Sequence, residues 1–334
     1  MDNPVLIEVT RGNGVESRHR GAIAVIDGSG NLIASWGEID RPVFPRSAIK
    51  PLQALALVES GAADHFNLTS EELALACASH SGEPAQVQRV DRWLGRMGLG
   101  PEDLECGAHP PRHAQEVADM VRAGESPGRS HNNCSGKHAG FLCTALHMGE
   151  PTKGYSKADH PVQQRLRAVL SELGGCDLST TAHGIDGCGI PVIAMPLVAM
   201  ARALARMANP VDMPEPRAAA SRRIIAAMTS HPEMVGGNGR FDTRMMVAGR
   251  GAFVVKTGAE GVYAGILPGP GLGIALKIDD GATRAAETVM AALLKHFGVL
   301  GDGVIDAVAD LMEPVIVNAA GDPVGVVRAV IDGL

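Results

Sequence analysis

Aromatic residues are scarce in this chain. They make up 3% of its 334 residues, with two tryptophans and two tyrosines among them. A hydrophobic core must therefore be built mainly from aliphatic side chains and methionine. The hydrophobic content of 45%, with 20% charged residues, is ordinary for a globular protein that buries a sizeable core.

Other features are missing, and each missing feature excludes a class of protein. No basic run has interleaved aromatic residues and the net charge is -7 at pH 7, which argues against nucleic-acid binding. Residues 1–7 hold no basic region followed by an apolar run, so we expect no secretory signal. The longest apolar segment, residues 190–207, contains two prolines and two arginines and predicts a buried helix rather than a membrane span. With six cysteines expected to be thiols or metal ligands, these absences predict a cytoplasmic protein without nucleic-acid or membrane partners.

Short β-branched runs and helical patterns predict an α+β protein. Strands are expected at residues 6–10, 21–27, 32–36, 252–257, 261–267 and 272–278, and in a terminal hairpin of 315–319 with 324–330. Helices are expected at residues 47–60, 69–77, 86–97, 113–123, 161–173, 216–228, 282–297 and 304–311. We predict a single domain, 1–334, whose antiparallel sheet is built from N- and C-terminal strands, approximately residues 1–45 and 230–334. A mostly helical part, approximately residues 46–229, is inserted into it.

The first candidate site is the stretch Arg46-Ser47-Ala48-Ile49-Lys50-Pro51. Ser47 and Lys50 are three residues apart at the start of a predicted helix, and residues at this spacing share a helix face. A serine hydroxyl becomes a nucleophile when a neighbour takes its proton, and a partly desolvated lysine can do so. The same S-x-x-K spacing also occurs by chance, as a helix cap beside a solvated lysine, so this pattern alone leaves both interpretations open.

Two further stretches supply hydroxyls and amines. Ser79 and His80 lie in the sequence C-A-S-H-S-G, where they could serve chemistry or could merely satisfy a helix C-terminus. Lys256 begins a K-T-G sequence at the end of a predicted strand. S-x-x-K followed by strand-borne K-T-G is the pattern of serine β-lactamases and penicillin-binding proteins, although their S-D-N element is missing here. The pattern strengthens the interpretation of Ser47 as a nucleophile.

A possible metal site involves residues far apart in the chain. Cys134 and Lys137 have a ligand-like separation, and Cys188, with Asp186 two residues before it, could complete the site. Two thiolates suit zinc, whereas a lysine ligand must be neutral and normally titrates at about 10.4. Ordinary buried thiols are the alternative.

In this order, the four stretches resemble the rhizobial-type (class 3) L-asparaginases over nearly the whole chain. The most specific parts of the resemblance are R-S-A-I-K-P from Arg46, A-S-H-S-G from Ala78, H-N-N-C-S-G-K-H from His131 and G-I-D-G-C-G from Gly184.

The resemblance implies a β-lactamase-like fold, a homodimer, and hydrolysis of the small molecule L-asparagine to L-aspartate and ammonia. It implies two Ser–Lys pairs at one centre, Ser47 with Lys50 and Ser79 with Lys256. The substrate-binding residues that it implies are Arg46, His80, His138 and Asp186. It also implies a Zn²⁺ ion that tunes or supports the site, with the ligands Cys134, Lys137 and Cys188.

Other functions stay open at this point. A glutaminase or another amidohydrolase would share the chemistry, since one methylene in a pocket is worth only about 1–3 kcal/mol. A β-lactamase or peptidase of the same fold would be expected to carry a signal peptide. A non-catalytic protein with a structural zinc would leave both Ser–Lys pairs without a role.

Overall fold

A computed structural model describes residues 3–333, apart from the side chain of Asp302. The strands are β1 (Val5–Arg11), β2 (Gly14–Asp27), β3 (Leu32–Trp36), β4 (Pro42–Val43), β5 (His183–Ile185), β6 (Pro191–Ile193), β7 (Met195–Pro196), β8 (Val254–Thr257), β9 (Val262–Leu267), β10 (Leu272–Ile278), β11 (Val315–Val317) and β12 (Pro323–Ala329).

The α-helices are α1 (Lys50–Gln53), α2 (Leu55–Glu59), α3 (Ala62–His65), α4 (Ser70–Ala76), α5 (Pro84–Arg96), α6 (Ala114–Arg122), α7 (Ser135–His147), α8 (Pro161–Gly174), α9 (Leu197–Ala208), α10 (Glu215–Ser230), α11 (Pro232–Val235), α12 (Phe241–Gly249), α13 (Thr283–His296), α14 (Asp302–Ala307) and α15 (Ala309–Met312). Short 3-10 helices cover Arg46–Ile49, Pro101–Asp103 and Arg129–His131. Within the described residues, no helix combines the length and the apolar character that crossing a membrane requires.

The chain divides into two compact units. The sheet unit consists of the described residues up to Ala48, Met195–Val211 and the described residues from Arg244 onward. The helical unit consists of Ile49–Ala194 and Asp212–Thr243.

The sheet unit is built around a sheet whose strands come from both ends of the chain. Its order is β11-β12-β1-β2-β10-β9-β8, and β3 pairs with β2. Every pairing in this sheet is antiparallel. The long strand β2 pairs with β1 through its first half and with β10 through its second half, which joins the two ends of the chain. The predicted α+β plan is therefore confirmed.

The helix expected over residues 190–207 begins later than predicted. Its first residues form the short strands β6 and β7, and α9 starts directly after Pro196. Proline lacks the amide hydrogen of a helix interior and disfavours helical geometry in the residue before it. The helix α9 packs against β2 and β10, where a side chain at Gly273 would overlap the backbone of Ala201 and Ala205. Met195–Val211 therefore belongs to the sheet unit, not to the helical part as expected from the sequence.

Residues 230–243 were expected in the sheet part but lie in the helical unit. They belong with the helical unit because α11 packs against α4 and α10.

The helix predicted over residues 47–60 is interrupted. The 3-10 helix Arg46–Ile49 is followed by α1 and α2, which are separated at Ala54. Pro51 lies in the first turn of α1 and has no amide hydrogen, so it cannot continue an α-helical hydrogen-bond ladder back to Ser47. Ser47 consequently lies on a 3-10 turn and not at the N-terminus of a long α-helix.

The helix α7 is central to the helical unit. It packs against α2, α3, α4, α5 and α8, and its residues 135–145 are buried. A helix that is surrounded on all sides shows little amphipathic periodicity, which explains why the sequence pattern does not predict it.

Candidate active site

Lys50 and Ser79 meet inside the helical unit. Lys50 is 0% exposed, and its Nζ donates a hydrogen bond to Ser79 Oγ at 3.0 Å and another to the carbonyl oxygen of Ala78. The Ser79 amide donates to the carbonyl oxygen of Val235 at 3.0 Å, which anchors the backbone of the serine. Because a buried amine is costly without partners, these bonds explain how the lysine head is tolerated away from water. The structure thus places Lys50 on the hydroxyl of the second predicted catalytic serine.

In the sheet unit, the end of β8 lies against the turn that contains Ser47. A Cβ atom at Gly258 would lie 3.1 Å from the carbonyl oxygen of Pro45 and 3.2 Å from the Cβ of Ala48, so the close approach requires glycine. The buried Lys256 precedes this glycine by two residues, and its Nζ donates to the carbonyl oxygen of Thr257 at 2.8 Å. The K-T-G sequence and the Ser47 turn are therefore neighbours within this unit.

Arg46 adopts a left-handed backbone conformation immediately before Ser47. Its φ of 50° is unusual for a residue other than glycine and costs on the order of 1 kcal/mol. Such strain is found most often at functional sites, where the surrounding structure maintains it. This observation supports a functional role for the turn.

His80, which follows Ser79, has both ring nitrogens engaged within the helical unit. The Gly82 amide donates to Nδ1 at 3.1 Å, so Nε2 carries the proton and donates to Ser135 Oγ at 2.8 Å. The Ser135 hydroxyl in turn donates to the carbonyl oxygen of Ser130 at 2.9 Å. Burial, assisted by the charge of Lys50, lowers the pKa of His80 to about 3. His80 is therefore neutral near pH 7.

His138 has a different arrangement of partners. The Tyr155 oxygen accepts a hydrogen bond from the Glu105 amide at 2.7 Å and lies 2.8 Å from His138 Nδ1. A tyrosine hydroxyl has one proton, and donating it to Nδ1 leaves the histidine proton on Nε2. This Nε2 is buried and has no partner among the described residues. Burial and the charges of Lys137 and Lys50 lower the pKa of His138 well below its usual value.

The proposed metal ligands converge in the helical unit. Lys137 Nζ donates to Cys188 Sγ at 3.0 Å, and this sulfur lies 3.6 Å from Asp186 Oδ2. Cys134 is the N-cap residue of α7, a position at which the helix dipole favours a thiolate. A hydrogen bond from Cys188 and the charges of nearby lysines hold the pKa of Cys134 well below its usual value.

The Cys134 thiolate also affects the pKa values of Cys188 and Lys137. Donating a hydrogen bond to the Cys134 thiolate and being buried both raise the pKa of the Cys188 thiol. Burial is the largest single influence on the pKa of Lys137 and lowers it, but the Cys134 thiolate, Cys188 and Asp186 together outweigh burial and raise that pKa. Both shifts favour a thiolate on Cys134 and an ammonium group on Lys137 at this buried position.

Two thiols and an amine at one buried point fit a zinc ion that keeps an open coordination position. No disulfide joins any of the six cysteines, all of which lie in the described part of the chain, so Cys134 and Cys188 are available as metal ligands. Among residues 3–333, no cluster of three or more His, Cys, Asp or Glu side chains could hold a metal. A zinc here would consequently depend on the lysine.

Asp186 and Cys188 are held by a tight turn. The Asp186 amide donates to the carbonyl oxygen of Ile190 at 2.8 Å, and the Gly189 amide donates to the carbonyl oxygen of Asp186 at 2.9 Å. Gly189 has a φ of 92°, which a side chain would strain. Three residues that contact the site were not predicted from the sequence: Tyr155, Glu105 and Ser135. Only Ser135 lies within a recognised motif, and its partner His80 is distant from it in the chain.

Several solved structures are similar to this chain at low sequence identity. The native form of Mglu is 16% identical, with a TM-score of 0.46, over 83% of this chain and 64% of that chain. A putative beta-lactamase from Bacteroides dorei is 14% identical, with a TM-score of 0.41, over 77% of this chain and 84% of that chain. A beta-lactamase from Mycobacterium bovis is 15% identical, with a TM-score of 0.42, over 83% of this chain and 94% of that chain.

A comparison with curated proteins found no match. The sequence model of the L-asparaginase II family, in contrast, matches residues 7–329. The match covers nearly the whole chain and includes every candidate site residue named above, which confirms the resemblance to L-asparaginases. The chain belongs to the L-asparaginase II family.

Proposed function

We propose that this protein hydrolyses L-asparagine to L-aspartate and ammonia through a serine acyl-enzyme. Family membership supports the reaction. The observation that carries the serine chemistry is the buried contact between Lys50 Nζ and Ser79 Oγ at 3.0 Å. An amine at this distance can exchange a proton with the hydroxyl, which is what a serine needs in order to attack or to relay a proton.

In the proposed mechanism, Ser47 attacks the side-chain amide carbon of asparagine and gives its proton to Lys50. The C–O bond forms, the C–N bond breaks, and Ser79 with Lys256 passes a proton to the departing ammonia. Water then attacks the ester, releases aspartate and returns a proton to the serine. The roles of Ser47 and Lys256 rest on the family resemblance.

A second assignment is favoured by the Lys50–Ser79 contact itself. Here Ser79 is the nucleophile and Lys50 is its base, because the two atoms already lie at hydrogen-bond distance. The reaction and its products are the same in both assignments.

Substrate binding is proposed for Arg46, His138 and Asp186. The free Nε2–H of His138 supports this role, since a buried donor without a partner gains a hydrogen bond when a substrate oxygen or a water reaches it. Asp186 would accept a hydrogen bond from the substrate ammonium group. Arg46 would donate to the substrate carboxylate, and its role rests on the family resemblance.

Zinc is proposed to bind Cys134, Lys137 and Cys188. When bound, the ion would supply a positive charge that polarises or positions the substrate. Homodimer formation and a cytoplasmic location stay predictions from the resemblance and the sequence.

The activity is tested by measuring ammonia release from L-asparagine and from L-glutamine, and by measuring ring opening of a β-lactam substrate in parallel. We expect asparagine turnover with the highest kcat/KM for this amide. Release from glutamine alone would make the protein a glutaminase, and release from neither amide would contradict the proposal.

The nucleophile is tested by comparing Ser47→Ala with Ser79→Ala. We expect Ser47→Ala to fold normally and lose activity by about 10³-fold or more, because it removes a hydroxyl but little core volume. Rapid quenching followed by mass spectrometry should detect an aspartyl adduct on Ser79→Ala but not on Ser47→Ala. The opposite pattern would assign the nucleophile to Ser79.

A further inference from the structure

His80 differs from the other candidate site residues because its hydrogen bonds form a closed network. Its two ring nitrogens bond to Gly82 and Ser135, and Ser135 bonds onward to Ser130. The side chain is 1% exposed. A residue that binds substrate or transfers protons needs a nitrogen that is free to do so, and His80 has none in this arrangement.

Hydrogen bonds of Ser79 and of the next residue, His80, hold the backbone around Ser79 in place. The Ser79 amide is anchored on Val235, and the His80 amide donates to the carbonyl oxygen of Asn133 at 3.2 Å. The His80 ring reaches Ser135, the first residue of α7. The segment between α4 and α5 is thereby fixed to two other parts of the helical unit, with Ser79 Oγ directed to Lys50.

We propose that His80 is a positioning residue, an inference that rests on the proposed function. His80 fixes Ser79 against the start of α7 and touches neither the substrate nor the transferred proton.

The chemistry of the two neighbours explains why histidine suits this position. The Gly82 amide requires an acceptor, and Ser135 Oγ requires a donor because its own proton is used on Ser130. A neutral imidazole supplies both from one rigid ring. Asparagine at position 80 can replace only the acceptor Nδ1, which lies near the backbone. Glutamine at position 80 can replace only the donor Nε2, which lies farther out.

The kinetic test uses Ser135→Ala, which removes the partner of His80 without changing His80. We expect kcat to fall about tenfold while KM stays close to the wild-type value, because a misplaced Ser79 impairs chemistry and not substrate binding. His80→Asn should show the same defect, and His80→Gln should retain more of the wild-type kcat. The double variant Ser135→Ala/His80→Asn should be no worse than the more damaged single variant, because both changes break one bond.

Thr144→Val is the matched control. It removes another buried hydroxyl from α7, one that bonds only to the carbonyl oxygen of Gly140 at 2.9 Å, and it should leave kcat unchanged. Melting temperatures of all variants separate loss of activity from loss of folding. If Ser135→Ala keeps wild-type kinetics while His80→Asn raises KM, or if the two effects multiply, His80 acts on the substrate and the proposal is overturned.

A second measurement does not depend on activity. Ring ¹⁵N NMR of the wild-type protein, with the His80 signals assigned by their loss in His80→Gln, should show the proton on Nε2 and an unprotonated Nδ1. A proton on Nδ1 would overturn the network even in an active enzyme. Absence of ammonia release from wild-type protein with the expected tautomer would contradict the asparaginase proposal and leave the network supported.

Discussion

At the scale of single residues, burial determines what each amine can do. Lys50, Lys137 and Lys256 are all buried, and each has a hydrogen-bond acceptor: Ser79, Cys188 and the carbonyl oxygen of Thr257. A charged amine without such partners would be strongly disfavoured in the interior. Three satisfied buried lysines in one chain are better explained by chemistry than by stability, because an apolar side chain would fill the same volume at a lower cost.

Tyr155→Phe should weaken substrate binding through His138. The change removes the donor to Nδ1, so the proton is no longer held on Nε2, where a substrate oxygen would need it. We expect KM to rise about fivefold to tenfold, which corresponds to one ordinary hydrogen bond, with a smaller effect on kcat. Steady-state kinetics on asparagine provide the measurement. A variant with unchanged KM and reduced kcat would place His138 in the chemical step instead.

Cys188→Ser should lose zinc. An alcohol replaces a thiolate poorly as a zinc ligand, and the remaining donors would be one thiolate and one amine. Elemental analysis should give about one zinc per wild-type chain and little in the variant, with KM raised more than kcat is lowered. Cys176→Ser, a change at a half-buried cysteine outside the ligand set, is the control and should keep the metal. A wild-type protein without zinc would contradict the site, and a collapse of kcat at constant KM would make the metal catalytic.

At the scale of elements, α7 supports the helical unit and the candidate site together. Its first turn carries Ser135 and Lys137, and its N-cap is Cys134. The helix approaches α4 at Gly136, where a Cβ atom would overlap the carbonyl oxygen of Leu75. Packing at this crossing therefore places one end of α7 beside the segment that carries Ser79.

Gly136→Ala should destabilise the protein by about 1–3 kcal/mol, the usual cost of forcing an extra methyl group into a packed interior. Denaturant unfolding measures the change in the free energy of unfolding. Gly95→Ala is the matched control, because Gly95 lies in α5 with no atom within 4 Å of the added methyl group. This control should be neutral or more stable by up to about 1 kcal/mol, since alanine has the higher helix propensity. Equal effects of the two changes would contradict the close packing of α7 on α4.

Local chemistry explains which elements could be predicted from the sequence. The helix expected over residues 69–77 forms as α4, and the capping box of Thr69 and Glu72 at its start is made by neighbouring residues. The strand β3 covers the expected residues 32–36. The buried helix α7 lacks an amphipathic pattern and could not be predicted in the same way.

The candidate site shows the same contrast. Motifs mark Ser47, Lys50 and Ser79 because their chemistry restricts the residue types at each position. The link from His80 to Ser135, and the link from Tyr155 to His138, join residues 55 and 17 positions apart. These contacts depend on how helices pack, which no local pattern records.

At the scale of the whole molecule, the units are assembled from segments that alternate along the chain. The sheet unit takes its strands from both ends, and α9 interrupts the helical unit to pack on that sheet. The terminal strands β1 and β12 pair with each other in antiparallel register. Because the sheet requires both ends of the chain, we expect the strands of the sheet unit to unfold together.

Acidification should reduce the stability of the helical unit through His80. The pKa of His80 is about 3 in the folded protein and near 6.5 when the side chain is in water. Between these two values the unfolded chain binds more protons than the folded one, so the free energy of unfolding falls as the pH falls from 6.5 toward 3. Below about pH 3 both states are protonated and the effect ends.

The slope is at most about 1.4 kcal/mol per pH unit, so a drop from pH 6.5 to 5 removes at most about 2 kcal/mol through this residue. Burial and the charges of Lys50, His109 and His131 all lower the pKa of His80, because each disfavours a positive charge on its ring. Urea unfolding at pH 7.5, 6.5, 5.5 and 5 should show this loss in the wild-type protein. His80→Gln should show a shallower dependence, whatever its stability at neutral pH, because glutamine has no proton to bind. Parallel curves for the two proteins would mean that His80 is not buried in its neutral form.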